Sequence, residues 1–386
     1  MAELRGRPVG LYVHVPFCGS LCPFCPYNKV RYQPGPAGRY LDSLRAEAEV
    51  YQAAAPGLTF TSLYVGGGTP TLCLAGLGWL ADLPVSGERA IEVLPTHMTG
   101  LRADTLCRSG FDAVSVGVQS FDPRVLRHLR RPTTVEGNRR AVALARDRFR
   151  CVDVDLIFDV GYDEPDTLLR DLAEAFSYGV DQVSTYPLMR FGYTPFGKAQ
   201  HDRHAEHRLL RRATELAELH GYHRDSVWTF RREGAPGYTS ITRPYYLGLG
   251  AGAATFTGES FLLNHFGLAQ YDADVTRGEL PVALAAHLTG ARAALFRAFW
   301  QAYTGVLPLA AREDPLLGHP AAGAVAAVAQ WLGWVGGSGR VTAVGYDRFH
   351  DLERWVTYHL IEPLWAELMA EHRVADAGAA EAALGG

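Results

Sequence analysis

Cys18, Cys22 and Cys25 lie in the run VHVPFCGSLCPFCPYNK, spaced C-x3-C-x2-C, with no further cysteine close by. Three thiolates can ligate three corners of a 4Fe-4S cluster and leave the fourth iron open to a small molecule, so the spacing predicts chemistry rather than a structural staple. Two other readings weigh less. A structural zinc site closes with four protein ligands, for which His14 is the available fourth donor. Three free cysteines packed as small apolar residues within eight positions is the other. A disulfide framework fits poorly with six cysteines in 386 residues.

Further along the chain, polar residues fall where strand-like runs end. Gly66-Gly67-Gly68-Thr69-Pro70 follows one such run, and glycines there let exposed backbone groups approach the charged head of an amino acid. Glu92 closes AIEVLP as a strand-end carboxylate suited to an ammonium group or a ribose, and Gln119 closes SVGVQ. Arg131, just beyond in HLRRPT, offers a two-pronged partner for a carboxylate; Arg130 is its rival, and the count from Gln119 favours Arg131. Asp155 lies in VDVDLIF, with Asp153 on the same face by period-two alternation. Tyr12 and His14 share a face of the first strand, where His14 is a candidate proton donor. Phe24 and Tyr27 flank Cys25.

Over the first 230 or so residues, short apolar runs alternate with helical patterns, as in a parallel sheet with crossover helices. Strands are expected at Gly10 to Val15, Ser62 to Val65, Ala90 to Leu94, Ala113 to Val118, Val152 to Phe158 and Gln182 to Tyr186. Helical periodicity covers Arg39 to Gln52, Leu101 to Arg108, Val135 to Arg146 and Asp166 to Tyr178. Such units predict a partial (β/α)6 barrel that presents its polar residues at the C-terminal strand ends. After Tyr222 the organisation changes, with helical patterns expected from about Pro281 onward and a frayed alanine-rich tail after Glu371. The expected domains are residues 1–230 and 231–386.

With 48% hydrophobic and 20% charged residues, the chain can bury a large core, and its formal charge of −4 gives no footprint for nucleic acid. No apolar stretch reaches the roughly 20 residues of a membrane span. The start, MAELRGRPVGLYVHV, enters a strand directly, so a cytoplasmic protein without a signal peptide is expected.

The runs YVHVPFC, CPFCPY and GGGTP resemble the radical S-adenosylmethionine (SAM) superfamily, and within it the branch of oxygen-independent coproporphyrinogen III oxidases. The resemblance spans about residues 8 to 300 and implies a partial (β/α)6 radical SAM barrel with a mainly helical C-terminal accessory domain. It also implies that the open iron is chelated by SAM, whose sulfonium is split by an electron to give a 5′-deoxyadenosyl radical. Under it Tyr12, Gly67, Gly68, Thr69, Glu92, Gln119, Arg131 and Asp155 contact SAM, and the backbone near Phe24 holds a second SAM molecule. The chain departs from the branch at Leu94, where an Asp or Asn is usual, and at Tyr27, where one subfamily has another cysteine. A flavodoxin or ferredoxin is the implied electron donor and a small molecule the implied substrate.

Three reactions follow from relatives in this branch. The first expectation is transfer of a one-carbon unit from a second SAM to an unsaturated small molecule, by methylation or cyclopropanation. Oxidative decarboxylation of coproporphyrinogen III is the alternative, set second because only 17 residues precede Cys18. Haem carriage without catalysis is third, because TSITRPYYLGLGAGA lacks the His and Asn of an HNxxYW segment.

Overall fold

The computed structural model describes residues 2–161, 166–197, 202–237, 243–308, 311 and 313–370. Six strands run parallel in sequence order: β1 Val9–Val15, β2 Phe60–Gly67, β3 Arg89–Val93, β4 Ala113–Gln119, β5 Cys151–Phe158 and β6 Gln182–Pro187. Their valine- and isoleucine-rich runs are buried on both faces, as parallel strands beneath crossover helices must be. The crossovers are α1 Pro34–Ala54, α2 Gly100–Arg108, the short α3 Pro123–His128 with α4 Val135–Arg148, and α5 Thr167–Ser177; α6 Arg203–Leu219 follows β6. Pro34 opens α1, and the hydroxyls of Thr99 and Thr134 cap α2 and α4 by accepting N–H bonds from Arg102 and Gly137. Leu44, Ala103, Leu106, Val142 and Leu172 from these helices pack on Leu11, Val65, Ile91, Val116 and Val154.

Within the first 230 or so residues each expected strand and helix is present, with ends moved by a few residues. Between β2 and β3 the crossover is made of 3-10 turns, Pro70–Leu72 and Leu74–Asp82, in place of an α-helix. In the parallel register Glu92, Ser115, Asp153 and Gln182 stand side by side, one polar row inside the curved sheet.

Beyond β6 the chain adds β7 Tyr222–Arg224, β8 Thr229–Arg232, β9 Tyr245–Leu249, β10 Ala254–Phe256, β11 Ser260–Asn264 and β12 Val282–His287. Among the described residues the sheet has 12 strands in the order β12-β11-β10-β9-β1-β2-β3-β4-β5-β6-β8-β7 and is not closed. The sheet thus runs through the expected 230/231 boundary, with β9 lying parallel to β1 on its free edge. Helical structure from Pro281 is corrected at its start: VALAAH pairs antiparallel with β11 as β12, an apolar run too short for periodicity to tell helix from strand. Helices α7 Leu268–Thr276, α8 Ala291–Tyr303, α9 Pro320–Trp331 and α10 Ala343–Val356 form the rest, and α10 continues through a π turn, Thr357–Ile361. The alanine-rich tail lies outside the described residues. No described helix is long and apolar enough to cross a membrane.

Candidate active site

The cysteine loop leaves β1 at Val15 and is pinned at its root. Phe17–Cys18 pairs with Val30–Arg31: Val30 N–H donates to Pro16 O at 2.8 Å and Tyr32 N–H to Cys18 O at 2.9 Å. Cys18 is 9% exposed, while Cys22 and Cys25 are half-buried against Phe24, Val125, Leu129, Val160 and Leu188. Burial, with Cys25 nearby, pushes the Cys18 thiol up to about 11. Burial also raises Cys25, and the Lys29 ammonium, which donates to Cys25 O, opposes that shift. All three cysteines are free of disulfides. A largely apolar, partly buried nest with three thiols and an adjacent cation fits a 4Fe-4S cluster, whose iron charge favours the thiolates that burial alone disfavours.

A closed zinc site does not fit. His14 is fully engaged: its Nε2–H donates to Asn28 O at 3.0 Å, which leaves Nδ1 to accept the Tyr12 hydroxyl at 2.8 Å. Burial lowers its pKa to about 4, so the ring is neutral. Among the described residues no group of three or more His, Cys, Asp or Glu side chains is placed to hold a single metal ion. Cluster thiolates bind separate irons and need no such convergence. With both nitrogens occupied, His14 also has no proton to offer a substrate without breaking this tie.

The glycine turn is stitched to the same loop. Gly68 N–H donates to Val15 O at 2.8 Å and Thr69 N–H to Phe17 O at 2.7 Å. A Cβ on Gly68 would stand 2.6 Å from Phe17 O, so only glycine permits this approach. Gly67, at φ +112°, turns its N–H onto Glu92 Oε2 at 3.1 Å, and the Tyr64 hydroxyl donates to Oε1 at 2.7 Å. Glu92 is therefore half-buried and already hydrogen-bonded, not an open strand-end carboxylate. Burial pushes it up to about 7, opposed by Tyr64 and reinforced by Asp155.

Of the two adjacent arginines, Arg131 faces this site. One of its terminal nitrogens donates to Gly117 O and the other lies 3.5 Å from Cys22 Sγ, while its buried Nε has no partner among the described residues. Arg130 is exposed and holds φ +50°. Gln119, at φ +69°, ends β4 in the left-handed conformation, which costs a non-glycine residue about 1–3 kcal/mol. Asp155 accepts a hydrogen bond from Ser115; burial raises it to about 6, against Ser115 and the Arg131 charge. Asp153, only 3% exposed, lies one step deeper. Its Oδ2 accepts from Ser184 at 2.8 Å and Gln182 at 3.2 Å, and its Oδ1 has no partner among the described residues. Burial, then Asp155, pushes it up to about 8.

Phe24 is buried beside the thiols, whereas Tyr27 is 54% exposed with its ring 5.8 Å from that of Trp365. Sequence reasoning missed Tyr64 and Ser115, which become visible only through their cross-strand partners, and Asn28, which becomes visible only through carbonyls far along the chain. It also missed the aromatic series Tyr186, Trp228 and Tyr303, with centroids 6.1 and 5.9 Å apart.

A strand-end thiol loop, a glycine turn locked to it and a charged barrel interior define a class, and the comparisons name it. Residues 12–172 match the radical SAM superfamily: the chain carries a radical SAM domain. Its relatives include an oxygen-independent coproporphyrinogen III oxidase of Paracoccus denitrificans, 28% identical over 294 residues, which are 67% of this chain and 64% of that protein. The heme chaperone HemW of Mycobacterium tuberculosis is 37% identical over 207 residues, 49% of this chain and 52% of that protein. The matched region thus spans less than two thirds of either relative. The solved coproporphyrinogen III oxidase (HemN) from Escherichia coli has the same fold, with a TM-score of 0.75 over 91% of each chain at 23% identity.

Proposed function

We propose that the protein cleaves SAM reductively and uses the resulting radical to take a hydrogen atom from an organic substrate at the barrel mouth. The observation that carries this reading is the meeting of the thiol loop, the glycine turn and Arg131, whose guanidinium lies 3.5 Å from Cys22 Sγ with its Nε unpartnered among the described residues. Cys18, Cys22 and Cys25 would hold a 4Fe-4S cluster, which supplies one electron and an open iron position for SAM. Arg131 is suited to a carboxylate, by a charge-assisted bond in a site shielded from water. Glu92, held by Tyr64 and Gly67, would ionise fully once an ammonium or sulfonium stands against it, because an opposite charge offsets the burial that raised it. Gln119 and Asp155 would orient the nucleoside, and the apolar nest around Phe24 keeps water from the reacting atoms.

For the reaction itself, the named relatives support oxidative decarboxylation of a coproporphyrinogen-type tetrapyrrole ahead of the one-carbon transfer placed first from sequence. Haem carriage is the second reading, favoured by the 37% identity to a heme chaperone. A flavodoxin or ferredoxin is the proposed reductant, and a second SAM molecule beside Phe24 is proposed for both the decarboxylation and the one-carbon readings.

The test is anaerobic incubation of iron- and sulfide-reconstituted protein with dithionite, methyl-labelled SAM and coproporphyrinogen III. The expected products are 5′-deoxyadenosine and vinyl-bearing porphyrinogen. S-adenosylhomocysteine with label in a product would restore one-carbon transfer, and tight haem binding without SAM cleavage would select the chaperone. Bound zinc, or SAM left intact under strong reductant, would overturn the radical reading altogether.

A further inference from the structure

We infer that Asn28 is a positioning residue, through which the C-terminal strands hold the cysteine loop in the shape that its thiols need. The inference rests on the cluster reading above and adds that cluster retention depends on a part of the chain far from the cysteine motif.

Asn28 lies three residues after Cys25 and is 7% exposed. Its carbonyl accepts His14 Nε2–H at 3.0 Å, tying it to β1. Its side-chain amide nitrogen donates to Phe266 O at 2.9 Å and Ala251 O at 3.2 Å, carbonyls from the segments that follow β11 and β9. Both partners only accept, so the nitrogen and not the oxygen must face them.

The acceptor segment is itself rigid. Glu47 of α1 accepts Gly250 N–H at 2.7 Å, the Asn264 amide at 2.7 Å and the Tyr271 hydroxyl at 2.6 Å. Tyr40 accepts Ala251 N–H at 3.0 Å and donates to His14 O at 2.7 Å. Gly250 and Gly252 hold φ of +101° and +78°, and a Cβ on Gly252 would lie 3.3 Å from the Asn28 amide nitrogen.

The two arms of the loop are therefore anchored differently, and the Tyr193 hydroxyl adds a bond to Pro26 O at 3.2 Å. Cys18 sits on the ladder with Val30–Arg31, whereas the arm carrying Cys22 and Cys25 returns through Asn28. Losing the amide removes the tie of that arm to the C-terminal strands and loosens it, while the bonds of His14 to Asn28 O and of Tyr193 to Pro26 O and the ladder stay in place.

Asn28→Asp keeps the shape and sets an oxygen against two carbonyls; Asn28→Ala removes the donor without repulsion. In full-length protein without iron, alkylation by iodoacetamide is mapped by mass spectrometry at each cysteine. In reconstituted protein, loss of iron to a chelator is timed. Both variants are expected to react faster at Cys22 and Cys25 with Cys73, Cys107 and Cys151 unchanged, and to lose iron roughly 10- to 100-fold faster, as when an outer-shell partner is removed. Unchanged rates at Cys22 and Cys25 would overturn the proposal. So would a rise at all cysteines together, which is the mark of general unfolding. If wild-type protein holds no iron, the cluster reading fails, while the alkylation pattern still decides the role of Asn28.

Discussion

Cys22 and Arg131 meet across the mouth of the barrel, so single substitutions there separate cluster binding from substrate binding. Cys22→Ala is expected to abolish the brown absorption near ~400 nm of a thiolate-bound cluster, read on reconstituted protein; full iron and activity in that variant would refute the ligand assignment. Arg131→Gln would remove the proposed charge-assisted bond to the SAM carboxylate, worth about 1.5–3 kcal/mol, so the SAM dissociation constant should rise by about 10- to 100-fold in equilibrium dialysis. Arg130→Gln, on an exposed side chain, should change nothing. Asp153 gives a pH signature. Its folded pKa of about 8 exceeds the ordinary carboxylate value, so the folded state keeps a proton that the unfolded chain has released. Stability attributable to this group is then lost as pH rises from about 4 to about 8. Asp153→Asn, which cannot titrate, should gain on wild type in denaturant midpoint between about pH 5 and about pH 8.5; a gain that shrinks with pH would contradict the assignment. The reactive side chains were legible in the sequence because thiols, a glycine run and an arginine pair announce themselves by type. The tie that occupies His14 was not, since it depends on a carbonyl brought back by the loop and on Tyr12 beside it.

The crossover units were legible because β-branched apolar runs and 3.6-residue periodicity leave different patterns, which is why β1 to β6 fall where expected. Two kinds of element escaped. The β2 to β3 crossover, LAGLGWLAD, is apolar enough to suit a helix but carries two glycines and closes as 3-10 turns. Strands β10 to β12 are three to six residues long and owe their form to pairing with one another, which no local pattern encodes. The turn after β2 shows how an element can serve two loops. Gly68→Ala would drive a Cβ to within 2.6 Å of Phe17 O, where only backbone can yield. Such overpacking costs about 1–3 kcal/mol, and the displaced strand end should also speed iron loss. Gly78→Ala, with nothing within 4 Å of its Cβ, is the matched control and should melt like wild type. Equal melting of both variants would show that the turn is not tightly seated on the cysteine loop.

The partial barrel and the C-terminal strands share β1, the strand that leads into the thiol loop. On one edge β1 pairs with β2; on the other it pairs with β9 from Val9 opposite Tyr245 to Val13 opposite Leu249. A chain cut after residue 237 would therefore lose β9 and present VGLYVHV as an open apolar edge with a row of unpaired backbone groups, a template for association. It would also lose the carbonyls that hold Asn28, and α10, whose His350 and Arg354 donate to Glu206 on α6. His350 in turn accepts the Trp228 indole N–H at 2.9 Å. Removing α10 takes these donors away and uncovers Glu206, so α6 loses the face against which it packs in the full chain. The truncated chain is expected to elute as aggregates in size-exclusion chromatography with light scattering, and to lack a cooperative melt, under conditions where the full chain stays dispersed. A monomeric fragment that melts cooperatively would mean that the first 230 or so residues fold alone, as the change of sequence pattern after Tyr222 first indicated, and that β9 covers β1 without being needed to shape it.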